Sequence, residues 1–224
     1  MPEISKVQEL NPQKIKQILM ELHEAYDSPV TELENWENPI QFMASVILSA
    51  QATDKGVNKV TPALFAKYKT ATDFANADLE DLTKMVSSIN YYKTKAKRII
   101  DANKFITSNY RGVLPPDIAK LILIPGIGRK SANVIMHEAL GAEAQGVVVD
   151  THITRVTHRL GLHLYSNQKD AVKIEQELMK IFPKEEWAFL SSALVLHGRY
   201  VCKAKKPLCG ECVLNKVCPS AFKV

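Results

Sequence analysis

Long apolar runs and early cysteines are missing from this chain of 224 residues, and no secretion signal is expected. No apolar stretch approaches the roughly 20 residues that a membrane-spanning helix needs, so no membrane association is expected. The opening residues Met1–Lys6 lack the charged-then-apolar layout of a secretion signal. Hydrophobic residues make up 46% and charged residues 24%, which excludes a largely disordered chain. A cytoplasmic globular protein is therefore expected.

Cysteine is absent before position 202, and the four cysteines that follow are Cys202, Cys209, Cys212 and Cys218. The segment Arg199–Val224 has a net charge of +5, equal to that of the whole chain. A basic patch beside a cysteine cluster indicates a polyanionic partner, most often a nucleic acid. The simpler alternative is a solvated lysine-rich tail, which the four cysteines disfavour.

Periodic apolar residues and capping signals predict helices along almost the whole chain. Asn11 before a proline indicates an N-cap, and clear helices are expected at about Pro39–Ser49, Lys93–Tyr110 and Trp187–Tyr200. Val147–Val149 is the best strand candidate, but a single strand cannot form a sheet, so it is expected to be a buried extended lead-in. Further helices are predicted at about 117–123, 129–140, 150–160 and 168–182. The predicted fold class is all-α, with helices packed around a central groove.

A glycine-containing hairpin, Ile124–Ser131, joins two of the predicted helices. Pro125 ends the first helix, and Gly126 and Gly128 permit a tight turn. The amide N–H groups at the start of the second helix then form an anion site that suits a phosphate. Ser131 stands where a dinucleotide-binding fingerprint needs a third glycine, and the glycine spacing also differs from a P-loop. An ordinary connection between helices is the alternative.

Three further motifs accompany this hairpin in the chain: Ser49–Asp54, Val149–His152, and His197–Tyr200 leading into the cysteines. Together the four motifs resemble the endonuclease III family of bifunctional DNA glycosylase/AP lyases, and the resemblance covers nearly the whole chain. It implies a base excision repair enzyme that flips and excises oxidised pyrimidines from duplex DNA. The abasic site would then be cleaved by β-elimination through a lysine Schiff base.

The resemblance also implies an organisation into two helical domains flanking a DNA-binding groove. A six-helix domain at 32–142 would hold the helix–hairpin–helix, with the hairpin at 124–131. An iron–sulfur domain would combine 1–31 with 143–224. A monomer that binds double-stranded DNA containing oxidised pyrimidines or abasic sites is expected, in the cytoplasm of a prokaryote and associated with the nucleoid through DNA.

Two residues are the candidate catalytic groups. A lysine is protonated at neutral pH and becomes a nucleophile only when its ammonium form is disfavoured. Lys130 stands just inside a predicted helix N-terminus beside Arg129, and both influences disfavour an ammonium ion. The resemblance makes Lys130 the nucleophile, whereas the residues alone would favour a phosphate-binding lysine. Asp150 is explained as a helix N-cap, and the resemblance adds a catalytic role, assisting deprotonation of the lysine and stabilising positive charge on the sugar.

Other residues are candidates for DNA and lesion contacts, because a base must leave the stack before its sugar is accessible. The resemblance implies insertion of side chains from the loop after Gln51 and from Ile89–Tyr92. Many relatives carry Gly-Leu-Tyr where this chain has Asn90 and two tyrosines, so Tyr91 is expected to be an aromatic wedge. Asp54 lines the lesion pocket or is a simple N-cap. The remaining candidates are Gly126, Gly128, Arg129, His152, Lys203, Lys205 and Lys206.

The four cysteines are candidate metal ligands with the spacing C-x6-C-x2-C-x5-C. Disulfides are disfavoured in a chain without an export signal. A zinc site and a [4Fe–4S] cluster both use four thiolates, but zinc sites more often show two separated CxxC pairs. The compact spacing resembles the endonuclease III cluster loop, so a structural [4Fe–4S] cluster is expected to position the basic loop beside it.

Two other functions remain open at this point. A monofunctional mismatch glycosylase of the same superfamily would lack a nucleophilic lysine at position 130. A DNA-binding module without catalysis would hold phosphates with the hairpin and the cysteine loop and cleave nothing.

Overall fold

The computed structural model describes residues 11–224, within which helices are joined by turns and no strand occurs. The predicted all-α fold class is confirmed. The α-helices of this part of the chain are α1 (Pro12–Ala25), α2 (Pro39–Ser49), α3 (Asp54–Lys67), α4 (Ala71–Ala75), α5 (Leu79–Met85), α6 (Tyr92–Tyr110), α7 (Ile118–Leu121), α8 (Arg129–Glu138), α9 (Thr151–Arg159), α10 (Ala171–Ile181) and α11 (Trp187–Tyr200). Two 3-10 helices, Gln168–Asp170 and Lys184–Glu186, precede α10 and α11.

Two expectations concern the membrane and secretion. Among residues 11–224, no helix is both long and apolar enough to cross a membrane. The residues Met1–Lys6, on which the expected absence of a secretion signal depends, lie outside the described part of the chain.

Residue contacts divide the chain into two compact units. Among the described residues, the terminal unit is formed by 11–30 together with Glu143–Val224, and the hairpin unit is Thr31–Ala142. All residues of the hairpin unit are described, and they form seven helices where six were expected. Two of the seven, α4 and α7, are only five and four residues long. Helix α7 lies within the helix predicted at about 117–123, and Asp117 caps it by accepting a hydrogen bond from the N–H of Ala119 at 2.8 Å.

Helix α2 lies at the centre of the hairpin unit. Its residues Ile40–Leu48 are all buried, which explains why the sequence is apolar on nearly every face. Asn38 caps the helix, and its side chain accepts a hydrogen bond from the N–H of Gln41 at 3.1 Å. Helix α6 packs against α2, α4 and α5, and Nζ of its buried Lys95 donates to the carbonyl of Leu48 at 2.8 Å. Burial, with a smaller contribution from Arg98, lowers the pKa of Lys95.

The terminal unit has its own apolar core, built from α1, α9, α10, α11 and the segment Val147–Val149. This segment is buried, as predicted, and belongs to no helix or strand, and the N–H of Val148 donates to Oγ of Ser191 at 2.9 Å. Helices α9 and α11 approach closely at Gly198, where an added Cβ would lie 2.8 Å from Cβ of His152. Only glycine allows this approach.

Candidate functional site

The hairpin Ile124–Ser131 connects α7 to α8 by a turn with two apolar anchors. Ile124 and Ile127 are buried, and the N–H of Ile127 donates to the carbonyl of Ile124 at 3.0 Å. Gly126 has a φ of 85°, a left-handed conformation that glycine adopts without strain. Gly128 is the N-cap of α8, and both glycines are exposed. The two buried isoleucines therefore anchor the turn in the core, while the backbone at the two glycines stays accessible to solvent.

Lys130 is the second residue of α8, and its side chain is exposed, like that of Arg129. Ala132 and Ile135 of the same helix are fully buried, so α8 is anchored on its inner face. The first turn of a helix carries the positive end of its dipole, which favours anions. The structure thus places Lys130 at an accessible, anion-favouring helix start, where the sequence predicted it.

Asp150 is the N-cap of α9, as predicted. Its Oδ1 accepts hydrogen bonds from the N–H groups of His152 at 2.8 Å and Ile153 at 2.9 Å. The residues before it, Val147–Val149, are buried in the core of the terminal unit. Two hydrogen bonds from the start of α9 therefore orient the carboxylate, and the buried residues before it hold the backbone of Asp150 in place.

Two arginines of α9 hold the loop that carries the predicted DNA-contacting lysines. Arg155 donates from Nε to the carbonyl of Cys202 at 3.0 Å and from Nη2 to that of Gly198 at 2.8 Å. Arg159 donates from Nη1 to the carbonyl of Lys203 at 2.8 Å and from Nη2 to that of Ala204 at 3.1 Å. The helix that begins at Asp150 therefore also anchors this loop. The exposed lysines of the loop are Lys203, Lys205 and Lys206.

His152, the second predicted DNA contact on α9, is half-buried. Its Nδ1 lies 3.2 Å from Nη2 of Arg155, and its Cβ faces Gly198 of α11. The position of this ring is therefore set by α11 as well as by its own helix.

The two loops that were expected to enter DNA are joined to each other. Nδ2 of Asn90 donates to the carbonyl of Gln51 at 3.1 Å, although the two residues are 39 positions apart. Gln51 and Tyr91 are exposed and have left-handed backbones, with φ of 53° and 58°. Such conformations are costly for residues with a Cβ and cluster at functional sites. Lys95 of α6 donates to the carbonyl of Leu48 near the end of α2, so the helices that flank the two loops are also joined.

Asp54 is the first helical residue of α3 and is partly buried. The N-cap is Thr53, whose side chain accepts a hydrogen bond from the N–H of Gly56 at 3.1 Å. The alternative interpretation of Asp54 as an N-cap is therefore wrong: a threonine hydroxyl one residue earlier already fills that position.

All four cysteines line one solvent-accessible pocket with an empty volume of about 310 Å³, and Arg159, Leu208 and Asn215 are among its other lining residues. Burial, together with the proximity of the other three cysteines, raises the pKa of the Cys212 thiol to about 11. Within residues 11–224, no three His, Cys, Asp or Glu side chains are arranged to hold a single metal ion. Four thiols around one pocket are the donor set of a [4Fe–4S] cluster, so the residues present fit this group.

Sequence reasoning assigned no role to several residues that support the site. Arg155, Arg159 and Gly198 hold the lysine loop and set the approach of α9 to α11. His197 is buried between Tyr26 and Cys212, and burial lowers its pKa to about 4. The i, i+4 spacing of the two arginines was a readable signal, because it places both on one face of α9. The predicted residues themselves fall into both units, with Lys130 in the hairpin unit and Asp150 in the terminal unit.

Comparisons with known proteins agree with this description. A family model described as "HhH-GPD superfamily base excision DNA repair protein" matches residues 44–184, and one for the "Iron-sulfur binding domain of endonuclease III" matches residues 202–218. Endonuclease III of Synechocystis is 41% identical over 93% of each chain. Endonuclease III of Escherichia coli K12 is 36% identical over 96% of this chain and 99% of its own.

Solved structures extend the likeness to the fold. A non-covalent endonuclease III–DNA complex and a trapped endonuclease III–DNA covalent intermediate are each 38% identical, with a TM-score of 0.86 over 95% of this chain and 97% of theirs. A thermostable thymine-DNA glycosylase has a TM-score of 0.84 at 20% identity, which shows the shared fold alone.

The helical fold, the glycine hairpin and the match over residues 44–184 define a base excision DNA repair protein of the HhH-GPD superfamily. Within that class, the chain belongs to the endonuclease III family. The predicted resemblance is confirmed, and with it a DNA glycosylase that is also an AP lyase and carries a [4Fe–4S] cluster.

Proposed function

We propose that this enzyme excises oxidised pyrimidines from duplex DNA and then cleaves the abasic strand by β-elimination. The observation that carries the proposal is an exposed lysine, Lys130, on the first turn of a helix that follows a glycine hairpin. A phosphate that binds the amides and glycines of this hairpin brings the DNA backbone to the lysine. The curated relatives from Synechocystis, Bacillus subtilis and Escherichia coli are each named endonuclease III, which supports the same reaction class.

Lys130 is the nucleophile in this proposal. Its neutral amine attacks C1′ of the sugar, and the damaged base leaves with the bonding electron pair. The sugar ring then opens as the C1′–O4′ bond breaks, and C1′ becomes the carbon of a Schiff base. The Schiff base acidifies the neighbouring C2′ hydrogen, and removal of that proton breaks the C3′–O bond and expels the 3′ phosphate. Gly126, Gly128 and Arg129 bind the DNA backbone beside the lysine.

Asp150 takes the lysine proton and stabilises the positive charge that develops on the sugar. Its two backbone hydrogen bonds support this role, because a carboxylate that is already oriented needs no rearrangement as charge develops. Capping and catalysis are compatible functions of the same side chain.

Gln51, Asp54, Asn90 and Tyr91 act on the extruded base and on the gap that it leaves. The exposed, left-handed Gln51 and Tyr91 occupy the gap, and the tyrosine ring stacks on neighbouring bases. Asp54 lines the lesion pocket. Asn90 ties the two inserting loops together through the Gln51 carbonyl.

Cys202, Cys209, Cys212 and Cys218 bind the [4Fe–4S] cluster, which supplies a cross-link for a segment without helices. His152, Lys203, Lys205 and Lys206 contact DNA phosphates. The loop carbonyls held by Arg155 and Arg159 support this assignment, because they fix the backbone from which the lysines extend. We further propose a monomer in the cytoplasm of a prokaryote, associated with the nucleoid through DNA binding.

Borohydride trapping tests the nucleophile. Wild-type protein, Lys130→Ala and Lys120→Ala are incubated with an oligonucleotide that contains an abasic site, and the covalent complex is quantified. Lys120 is an exposed lysine of α7 in the same unit and serves as the matched control. We expect trapping by wild type and Lys120→Ala and none by Lys130→Ala. Trapping that survives in Lys130→Ala contradicts the assignment.

A panel of duplexes tests the substrate class. Oxidised pyrimidines should yield excision, a nick and a trappable complex. Excision of a mismatched base without trapping would instead indicate a monofunctional glycosylase, and retention of DNA without cleavage would indicate a binding module.

A further inference from the structure

His197 is a buried polar residue that the proposed chemistry does not use. Its side chain is 2% exposed, and both ring nitrogens have partners. Nδ1 lies 2.9 Å from the hydroxyl of Tyr26, and Nε2 lies 3.3 Å from Sγ of Cys212. Tyr26 follows α1 and His197 belongs to α11, so these contacts bring three separate segments of the terminal unit together.

The direction of both hydrogen bonds can be assigned from the one that involves the sulfur of Cys212. A thiolate that binds iron has no hydrogen to donate, so Nε2 must carry the ring hydrogen and donate it to Cys212. In the neutral ring, Nδ1 is then an acceptor, and the hydroxyl of Tyr26 donates to it. Each bond polarises the next, so Tyr26 strengthens the N–H donor that faces the sulfur.

We propose that His197, supported by Tyr26, is a positioning residue that holds the Cys212 ligand and tunes the reduction potential of the cluster. This inference depends on the proposed assignment of Cys212 as an iron ligand. An N–H donor withdraws electron density from the sulfur and so stabilises the more reduced cluster. Cys202 also has a hydrogen-bond donor, Nη1 of Arg159 at 3.3 Å. The His197 donor differs from this arginine in two respects: its ring is neutral, and its side chain is more deeply buried.

Voltammetry of the cluster-loaded protein measures this effect in wild type, His197→Leu, His197→Gln and Tyr26→Phe. His197→Leu removes the donor and should shift the potential to more negative values. Tyr26→Phe keeps the N–H bond to sulfur but loses the group that polarises it, so a smaller shift in the same direction is expected. His197→Gln offers an amide N–H to the sulfur and should restore the potential in part.

Pulsed electron paramagnetic resonance supplies a readout that packing alone would not change. In protein labelled with 15N-histidine, the one-electron-reduced cluster should show a nitrogen coupling that disappears in His197→Gln. Equal potentials in wild type, His197→Gln and Tyr26→Phe, together with no such coupling, would reduce His197 to a packing residue. If His197→Leu fails to retain iron, the potential of Tyr26→Phe and the nitrogen coupling of the labelled wild-type protein still test the role of His197.

The trapping assay separates this inference from the proposed function. All variants that hold iron should still be trapped on abasic DNA, because His197 takes no part in the attack on C1′. Loss of trapping in wild type would contradict the proposed function and leave the potential shift intact, whereas unchanged potentials would contradict only the role of His197.

Discussion

The hairpin unit and the end of the terminal unit hold their candidate functional groups by different means. Lys130 stands on a helix whose inner face is buried in a continuous apolar core, and the turn before it is anchored by two buried isoleucines. The segment Val201–Val224, which is described throughout, contains no helix or strand. Its one fully buried apolar side chain is Leu214, and two arginines of α9 hold the carbonyls of its first residues.

The difference indicates which interaction each region depends on. An apolar core positions the hairpin without help from any bound group. A segment of about two dozen residues with little buried apolar surface needs a cross-link, and a metal cluster with four thiolate ligands provides one. Damage to the cluster should therefore leave the structure of the hairpin unit unchanged. Loss of a single polar group should lower turnover most where catalysis needs a charge.

Asp150→Asn gives the largest expected effect and separates charge from support. Asparagine caps helices about as well as aspartate, so the free energy of unfolding should change by less than about 1 kcal/mol. Turnover should fall by roughly 10²–10⁴-fold, because acid–base catalysis contributes on that order. Single-turnover cleavage and duplex binding are the measurements, and binding should be retained.

The matched control for this prediction is Asp78→Asn, which changes the N-cap of α5 in the same way. It should leave turnover unchanged. Equal turnover in Asp150→Asn and wild type would mean that Asp150 is a cap alone.

Removal of the cluster by a chelator tests the comparison between the two regions directly. Amide hydrogen exchange in Val201–Val224 should rise at least about tenfold, because that segment loses its cross-link. Exchange in the core helices α2 and α6 should stay unchanged, since their protection comes from the apolar core of the hairpin unit. A uniform rise across both units would show that the cluster supports the whole fold.

Much of the fold could be predicted because its signals are local. The bounds of α11 agree with the predicted Trp187–Tyr200, and Asn11 and Asp150 are N-caps as expected. Each depends on residues within one or two turns of helix. The hairpin was equally readable, because proline and two glycines specify a turn within a few positions.

The contacts that position the candidate site could not be read in this way. The bond between Asn90 and Gln51 spans 39 residues, and that between Tyr26 and His197 spans 171. Such pairs form only when packing brings distant segments together. The choice of Thr53 over Asp54 as N-cap also depended on the backbone, because both residue types are good caps.

A pH-dependent stability should distinguish the terminal unit. His163 is buried, Nε2 lies 2.7 Å from Oγ1 of Thr157, and His158 is a ring neighbour. Burial, with a smaller effect of His158, lowers the pKa of His163 from 6.5 to about 4, despite smaller opposing effects of Tyr165 and Glu177. Below pH 6.5 the unfolded chain binds a proton that the folded chain does not, so stability is lost as pH falls.

The expected loss from His163 approaches about 3 kcal/mol near pH 4, since each tenfold change in proton affinity is worth about 1.4 kcal/mol. Urea unfolding between pH 7.5 and pH 5 measures the slope. His163→Gln keeps a donor for Thr157 but does not titrate, so its stability should vary less with pH than that of wild type. Parallel pH profiles for the two proteins would assign the dependence to other groups.

Asn90→Ala has the smallest expected effect and tests whether polar bonds also matter in the hairpin unit. It removes the link between the two inserting loops, which at about 1 kcal/mol corresponds to roughly fivefold in kcat/KM. Asn109→Ala is the control, because it removes a similar amide-to-carbonyl bond of 2.8 Å within α6. A fluorescent base analogue beside the lesion reports base extrusion, which should weaken in Asn90→Ala alone. If both variants behave as wild type, the apolar core by itself holds Gln51 and Tyr91 in place. The hairpin unit would then depend on apolar packing alone, in contrast to the cross-linked segment Val201–Val224.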